Sequence, residues 1–275
     1  MTWYKNRRGE PLFYEERGDG CPVLFVHGWC MSSAVWKYQF DGLAASFRLI
    51  APDLRGHGRS RDVAGNIDFA GFADDLTDLS QQMNLSKVVL VGWSMGAQIA
   101  MQASADLSDR LAGMVLVSAT PCFTASTEFR YGLADKEASG MRLKVQRNTQ
   151  RALDGFHSRI FAEGEIDNHS LSLELQELLA LIMPPDTRSL LESLDSLARA
   201  DMRHLLPSIK VPTMILNGSH DRICLPQASA YLKENISGAE QFIFQGCGHA
   251  PFLTQRHIFN AELSSFIRSV NEQNC

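Results

Sequence analysis

The sequence predicts an α/β fold, an open and doubly wound, mainly parallel central sheet flanked by helices, with an inserted helical cap. Three observations predict it. Strand-like segments at 23–26, 47–51, 88–92, 114–118, 213–217 and 241–244 are largely continuous apolar runs, as in strands buried on both faces of a parallel sheet. Segments with helical spacing and few breakers, at 35–46, 69–83, 95–105 and 258–270, separate them. The alternation then stops near Pro121 and resumes only near Pro212, a gap far longer than a crossover requires.

The elements follow in order. The segment 13–17 is expected to add an antiparallel strand at the start. Within the gap, 137–156, 171–181 and 187–200 read as helices, divided by Gly164, Asn168 and the Pro184-Pro185 pair. The expected organisation is a core of residues 1–121 and 189–275 carrying a cap (lid) of residues 122–188. Such a cap lies over the C-terminal edge of the sheet, where open α/β sheets bind ligands. No internal repeat or low-complexity segment interrupts this pattern.

Composition narrows the function classes. With 275 residues and 45% hydrophobic content, one large core is expected. A formal net charge of −5 argues against nonspecific attraction to nucleic acid or anionic membrane. The polar N-terminal stretch lacks a secretory apolar region, and no run of about 18 apolar residues occurs. A cytoplasmic monomer is expected. The six cysteines, Cys21, Cys30, Cys122, Cys224, Cys247 and Cys275, form no CxxC pair, so neither a disulfide framework nor a zinc site is suggested. Cys30, Cys122, Cys224 and Cys247 each follow a strand and are expected as small apolar lining near one rim of the sheet. No metal or cofactor is expected.

The chemistry is carried by three loops. Residues 88–97, VVLVGWSMGA, run from an apolar strand through G-x-S-x-G directly into a helical pattern, the context a nucleophile elbow requires. Ser94 is the candidate nucleophile. A serine hydroxyl needs a neighbouring base, and the base an orienting acceptor. Asp221 follows the strand at 213–217 and His249 follows that at 241–244, giving the order Ser, Asp, His at one sheet edge. Of the eight histidines, His249 alone is placed on a loop after the final strand. His220 is the second choice for a mechanistic role, against an ordinary solvated histidine. Two backbone N–H donors should face the oxyanion: that of Met95, after the nucleophile, and that of Trp29 in His27-Gly28-Trp29. His27 is read as a structural residue of that loop. The glycine-rich stretch 53–60 lacks a phosphate-loop ending, so nucleotide binding is not expected.

With these residues in place, the chain resembles the α/β-hydrolase superfamily over almost its whole length. His27-Gly28-Trp29, Gly92-Trp93-Ser94-Met95-Gly96, His249-Ala250-Pro251-Phe252 and Asp201-Met202-Arg203 together most closely resemble the BioH family. Its members are pimeloyl-acyl-carrier-protein methyl ester esterases of biotin synthesis. The resemblance implies a serine carboxylesterase with an acyl-enzyme on Ser94, and an acyl-carrier protein as partner. Met95 and Ala97 depart from the leucine and glycine of the family pattern. A broad short-chain carboxylesterase or a C–C bond hydrolase shares the same triad, and a noncatalytic binding module is the reading from another class.

The cap supplies a candidate docking face. Between residues 130 and 159, Arg130, Lys136, Arg142, Lys144, Arg147, Arg151 and Arg159 outnumber Asp135, Glu137 and Asp154, a local net of +4. On one continuous helix over 137–156, Lys144, Arg147 and Arg151 would share a face beside an apolar stripe of Met141, Val145, Ala152 and Phe156. Trp29, Arg142, Lys144, Arg147, Arg151 and Arg159 are therefore the expected substrate- and partner-binding residues. An ordinary solvated basic face is the competing reading.

Overall fold

The structure, a computed structural model, describes residues 2–63 and 65–272; Cys275 lies outside them. The strands are β1 (Thr2–Lys5), β2 (Pro11–Arg17), β3 (Pro22–Val26), β4 (Arg48–Pro52), β5 (Val88–Trp93), β6 (Leu111–Val117), β7 (Thr213–Gly218) and β8 (Glu240–Phe244). They form one eight-stranded sheet in the order β1-β2-β4-β3-β5-β6-β7-β8. The pairs β1/β2 and β2/β4 are antiparallel and the rest parallel. All six residues of β5 are buried, as its apolar run requires of a central strand covered on both faces.

The core helices are α1 (Lys37–Leu43), α2 (Phe69–Gln82), α3 (Met95–Ala103), α8 (Pro226–Asn235), α9 (Pro251–Thr254) and α10 (Arg256–Glu272), the cap helices α4 (Asp135–Arg147), α5 (Thr149–Ile160), α6 (His169–Ala180) and α7 (Thr187–Arg199). The apolar face of α7 is buried through Leu190, Leu194 and Leu197, and the helix straddles the expected boundary at residue 188.

The cap departs from the sequence reading at one point. The continuous helix expected over 137–156 is two helices broken at Asn148, whose backbone is extended (φ −160°, ψ 97°). Its side chain accepts the Arg151 N–H at 2.9 Å and so caps α5. Lys144 and Arg147 therefore lie on α4 and Arg151 on α5, and no single helix face carries all three.

Candidate active site

The turn from β5 into α3 forces Ser94 into φ 57°, ψ −118°, a left-handed conformation costly for a side-chain-bearing residue. Its flanking glycines have steric reasons. A Cβ on Gly92 would stand 2.4 Å from the Gly96 carbonyl oxygen, and one on Gly96 would stand 2.2 Å from that of Val26. The elbow therefore holds only with both positions bare. The Ser94 N–H donates to the Val117 carbonyl at 2.9 Å, tying the elbow to β6.

Asp221 and His249 meet below this edge. His249 Nδ1 lies 2.8 Å from Asp221 Oδ2, with both side chains inaccessible to solvent. The other carboxylate oxygen, Oδ1, accepts the N–H groups of Ile223 at 2.8 Å and Cys224 at 3.0 Å. With a proton on Nδ1, Nε2 is the free acceptor of the ring. It is buried and, among the described residues, without a hydrogen-bond partner. The imidazole is held from behind by Trp93, whose Nε1–H donates to the His249 carbonyl at 2.8 Å and whose ring centroid lies 5.4 Å away.

The candidate oxyanion donors flank the same serine. Met95 is the first residue of α3, so its N–H has no acceptor within the helix. The loop bearing Trp29 approaches closely enough that a Cβ on Gly28 would meet Ser94 Cβ at 3.4 Å. That loop is shaped by His27, whose Nε2 accepts the Leu54 N–H at 3.1 Å, leaving Nδ1–H to donate to the Gly28 carbonyl at 2.9 Å. Burial pushes the His27 imidazole down to about 4, keeping it neutral and structural. His220 is exposed and bonded to the Ser219 hydroxyl at 2.8 Å.

An apolar pocket opens over Ser94, walled by Trp29, Phe123, Leu133, Met141, Phe156 and Ile223. The Trp29 and Phe156 rings meet edge to face at 5.0 Å, joining core to cap. At the rim, Arg159 and Glu137 form an ion pair of 3.1 Å. Beside the pocket, Lys144, Arg147, Arg151 and Arg159 line a groove on the cap, and Met141 and Arg159 border both cavities. Arg142 is elsewhere: its guanidinium is bonded to Asp195 at 2.8 and 3.3 Å, bracing α4 against α7.

Two features escaped sequence reasoning. The buried Cys224 thiol, expected only as apolar lining of the rim, lies beside the Ser94 side chain, and burial pushes it well above its ordinary range. Glu165, on the cap loop after α5, touches the His249 loop. Neither residue lies in a recognisable motif.

A model of the alpha/beta hydrolase fold matches residues 22–255. The chain belongs to the α/β-hydrolase family. This α/β hydrolase is 29% identical to the pimeloyl-acyl-carrier protein methyl ester esterase of Nitrosomonas europaea over 88% of its own length and 94% of that protein's. It is 30% identical to the AB hydrolase superfamily protein YisY of Bacillus subtilis, over 97% and 99% of the two chains. Among solved structures it is similar to an esterase from Exiguobacterium antarcticum, with a TM-score of 0.91, 28% identity and coverage of 97% and 99%. No helix among the described residues is long and apolar enough to cross a membrane.

Proposed function

We propose that this α/β hydrolase is a serine carboxylesterase that cleaves the methyl ester of a pimeloyl chain carried on an acyl-carrier protein, through an acyl-enzyme on Ser94. The observation that carries the chemistry is the buried Nδ1 contact with Asp221, which leaves His249 Nε2 as an unpartnered acceptor behind the elbow. In this reading Nε2 takes the Ser94 proton as Oγ attacks the ester carbonyl. The oxyanion is met by the N–H groups of Met95 and Trp29, favoured further by the N-terminus of α3. The imidazolium then protonates the departing methoxide. Water, activated by the same nitrogen, releases the acid and restores the serine.

The carrier is supported by the joining of two cavities. The apolar walls above Ser94 suit methylene groups, and the pocket shares Met141 and Arg159 with a groove whose ionisable lining is wholly basic. Among the described residues no carboxylate pairs with Lys144, Arg147 or Arg151. A strongly acidic carrier would be steered to that groove and its acyl arm led into the pocket. The relatives named as pimeloyl-acyl-carrier protein methyl ester esterases support the same substrate.

The test compares a carrier-linked pimeloyl methyl ester with a small free ester in the double variant Arg147→Glu, Arg151→Glu. Turnover of the carrier-linked substrate should fall sharply and lose its salt sensitivity, while the free ester is hydrolysed nearly as before. Equal effects on both substrates, or none on either, would remove the carrier and leave a broad short-chain carboxylesterase.

A further inference from the structure

The loop that carries His249 is fastened to the cap as well as to the core. His249 N–H donates to the Ile160 carbonyl, at the end of α5, at 2.6 Å. The preceding N–H, of Gly248, donates to Glu165 Oε2 at 2.7 Å, an oxygen that also accepts the Ala162 N–H at 2.6 Å. Glu165 Oε1 accepts the Thr254 hydroxyl, at the end of α9, at 2.5 Å. Gly248 is bare because the cap chain lies directly on it: a Cβ there would stand 2.5 Å from the Ile160 carbonyl oxygen and 2.7 Å from Ala162 N.

We infer that Glu165 is a positioning residue that clamps the His249 loop between cap and core and so sets the imidazole for Ser94. This inference rests on the proposed role of His249 as base. All three donors point at one side chain, which matches a carboxylate, an acceptor at both oxygens; an amide would keep the two N–H bonds at its oxygen and reverse the third by donating to the Thr254 hydroxyl, so the clamp is broken only by removing the polar end of the side chain. The charge is felt nearby: the Cys247 thiol is pushed up to about 11, by burial first and by the Glu165 carboxylate second. Because consecutive amides at 248 and 249 are both held by the cap, displacement of the cap loop releases the segment that bears the base.

The experiment measures kcat and KM on a small p-nitrophenyl ester for wild type, Glu165→Ala and Glu163→Ala, a neighbouring exposed position outside the clamp. Glu165→Ala should lower kcat on the order of 10- to 100-fold, as misplacement of a catalytic group does, with KM within about twofold. The downfield proton resonance of His249 Nδ1–H should shift or broaden in the same variant and stay in place in Glu163→Ala. Should Glu165→Ala fail to fold, Thr254→Val, which removes one donor, should lower kcat with KM retained. Unchanged kcat and an unshifted resonance in the folded variant would overturn the clamp. Full turnover in Ser94→Ala would instead overturn the catalytic reading beneath it, so the two failures are distinguishable.

Discussion

His249 Nδ1 and Asp221 Oδ2 stand 2.8 Å apart with neither side chain exposed to water, and the second carboxylate oxygen is filled by two backbone N–H groups. Asp221 therefore has no rotational choice, and through it the imidazole has one tautomer. Asp221→Asn keeps the shape but places an amide where the Nδ1 proton must be accepted. The expected loss of kcat on a small ester is on the order of 10⁴, less than the roughly 10⁶ expected for Ser94→Ala. Steady-state kinetics on the folded variants checks the order; a larger loss at Asp221 than at Ser94 would contradict the assigned roles.

The elbow tolerates no side chain at its second glycine. Gly96→Ala places a Cβ 2.2 Å from the Val26 carbonyl oxygen and 2.7 Å from that of His27, both backbone atoms of neighbouring chain that cannot swing aside. A destabilisation above about 4 kcal/mol, the range reserved for such clashes, is expected. Urea unfolding measures it. A midpoint within error of wild type would contradict the packing of α3 on β3.

Two buried imidazoles make stability depend on pH. Burial holds His27 down to about 4, while burial and then the His27 charge hold His57 to about 3. The unfolded chain takes up these protons first, near the ordinary value of about 6.5. The stabilisation is therefore whole above that value and is lost as the pH falls toward 4 and 3, His27 alone contributing on the order of 3 kcal/mol. Unfolding free energies measured between about pH 6 and pH 4 should show a slope smaller by about one proton in His57→Phe than in wild type. Equal slopes would mean His57 is not buried neutral.

The two kinds of cap arginine should separate by assay. Arg142 is engaged with Asp195 between α4 and α7, whereas Arg147 and Arg151 border the open groove. Arg142→Ala should leave carrier-linked turnover close to wild type and lower thermal stability slightly, as partly exposed ion pairs do. A selective loss of carrier-linked turnover in Arg142→Ala would move the docking face from the groove to the α4–α7 seam.

Much of the candidate site was legible because its residues are signalled locally in sequence. The run from Val88 through Ser94 into α3 carries its own strand, turn and helix signals, and the Asp221 and His249 loops each follow an apolar strand. The cap was harder to read. Gly140 and Gly155, the residues of 135–160 that most resemble helix breakers, both lie inside helices, whereas the break falls at Asn148 and depends on that side chain capping α5. The short edge strand β1 escaped because only Tyr4 of its four residues is buried, leaving no alternation to detect. Glu165 escaped for a different reason. Its three donors are Ala162, Gly248 and Thr254, two of them more than eighty residues away, and an acidic residue in a polar loop carries no sign of such partners.

A covalent acyl group at Ser94 is the central expectation of the proposed chemistry. Rapid acid quenching during turnover of a slowly deacylating p-nitrophenyl ester, followed by intact-mass and peptide analysis, reads it directly. The expected result is one added acyl mass on the peptide bearing Ser94, absent from Ser94→Ala, which also loses turnover. Turnover without any adduct, or an adduct on the neighbouring Cys224 in place of Ser94, would contradict the assignment of Ser94 as nucleophile.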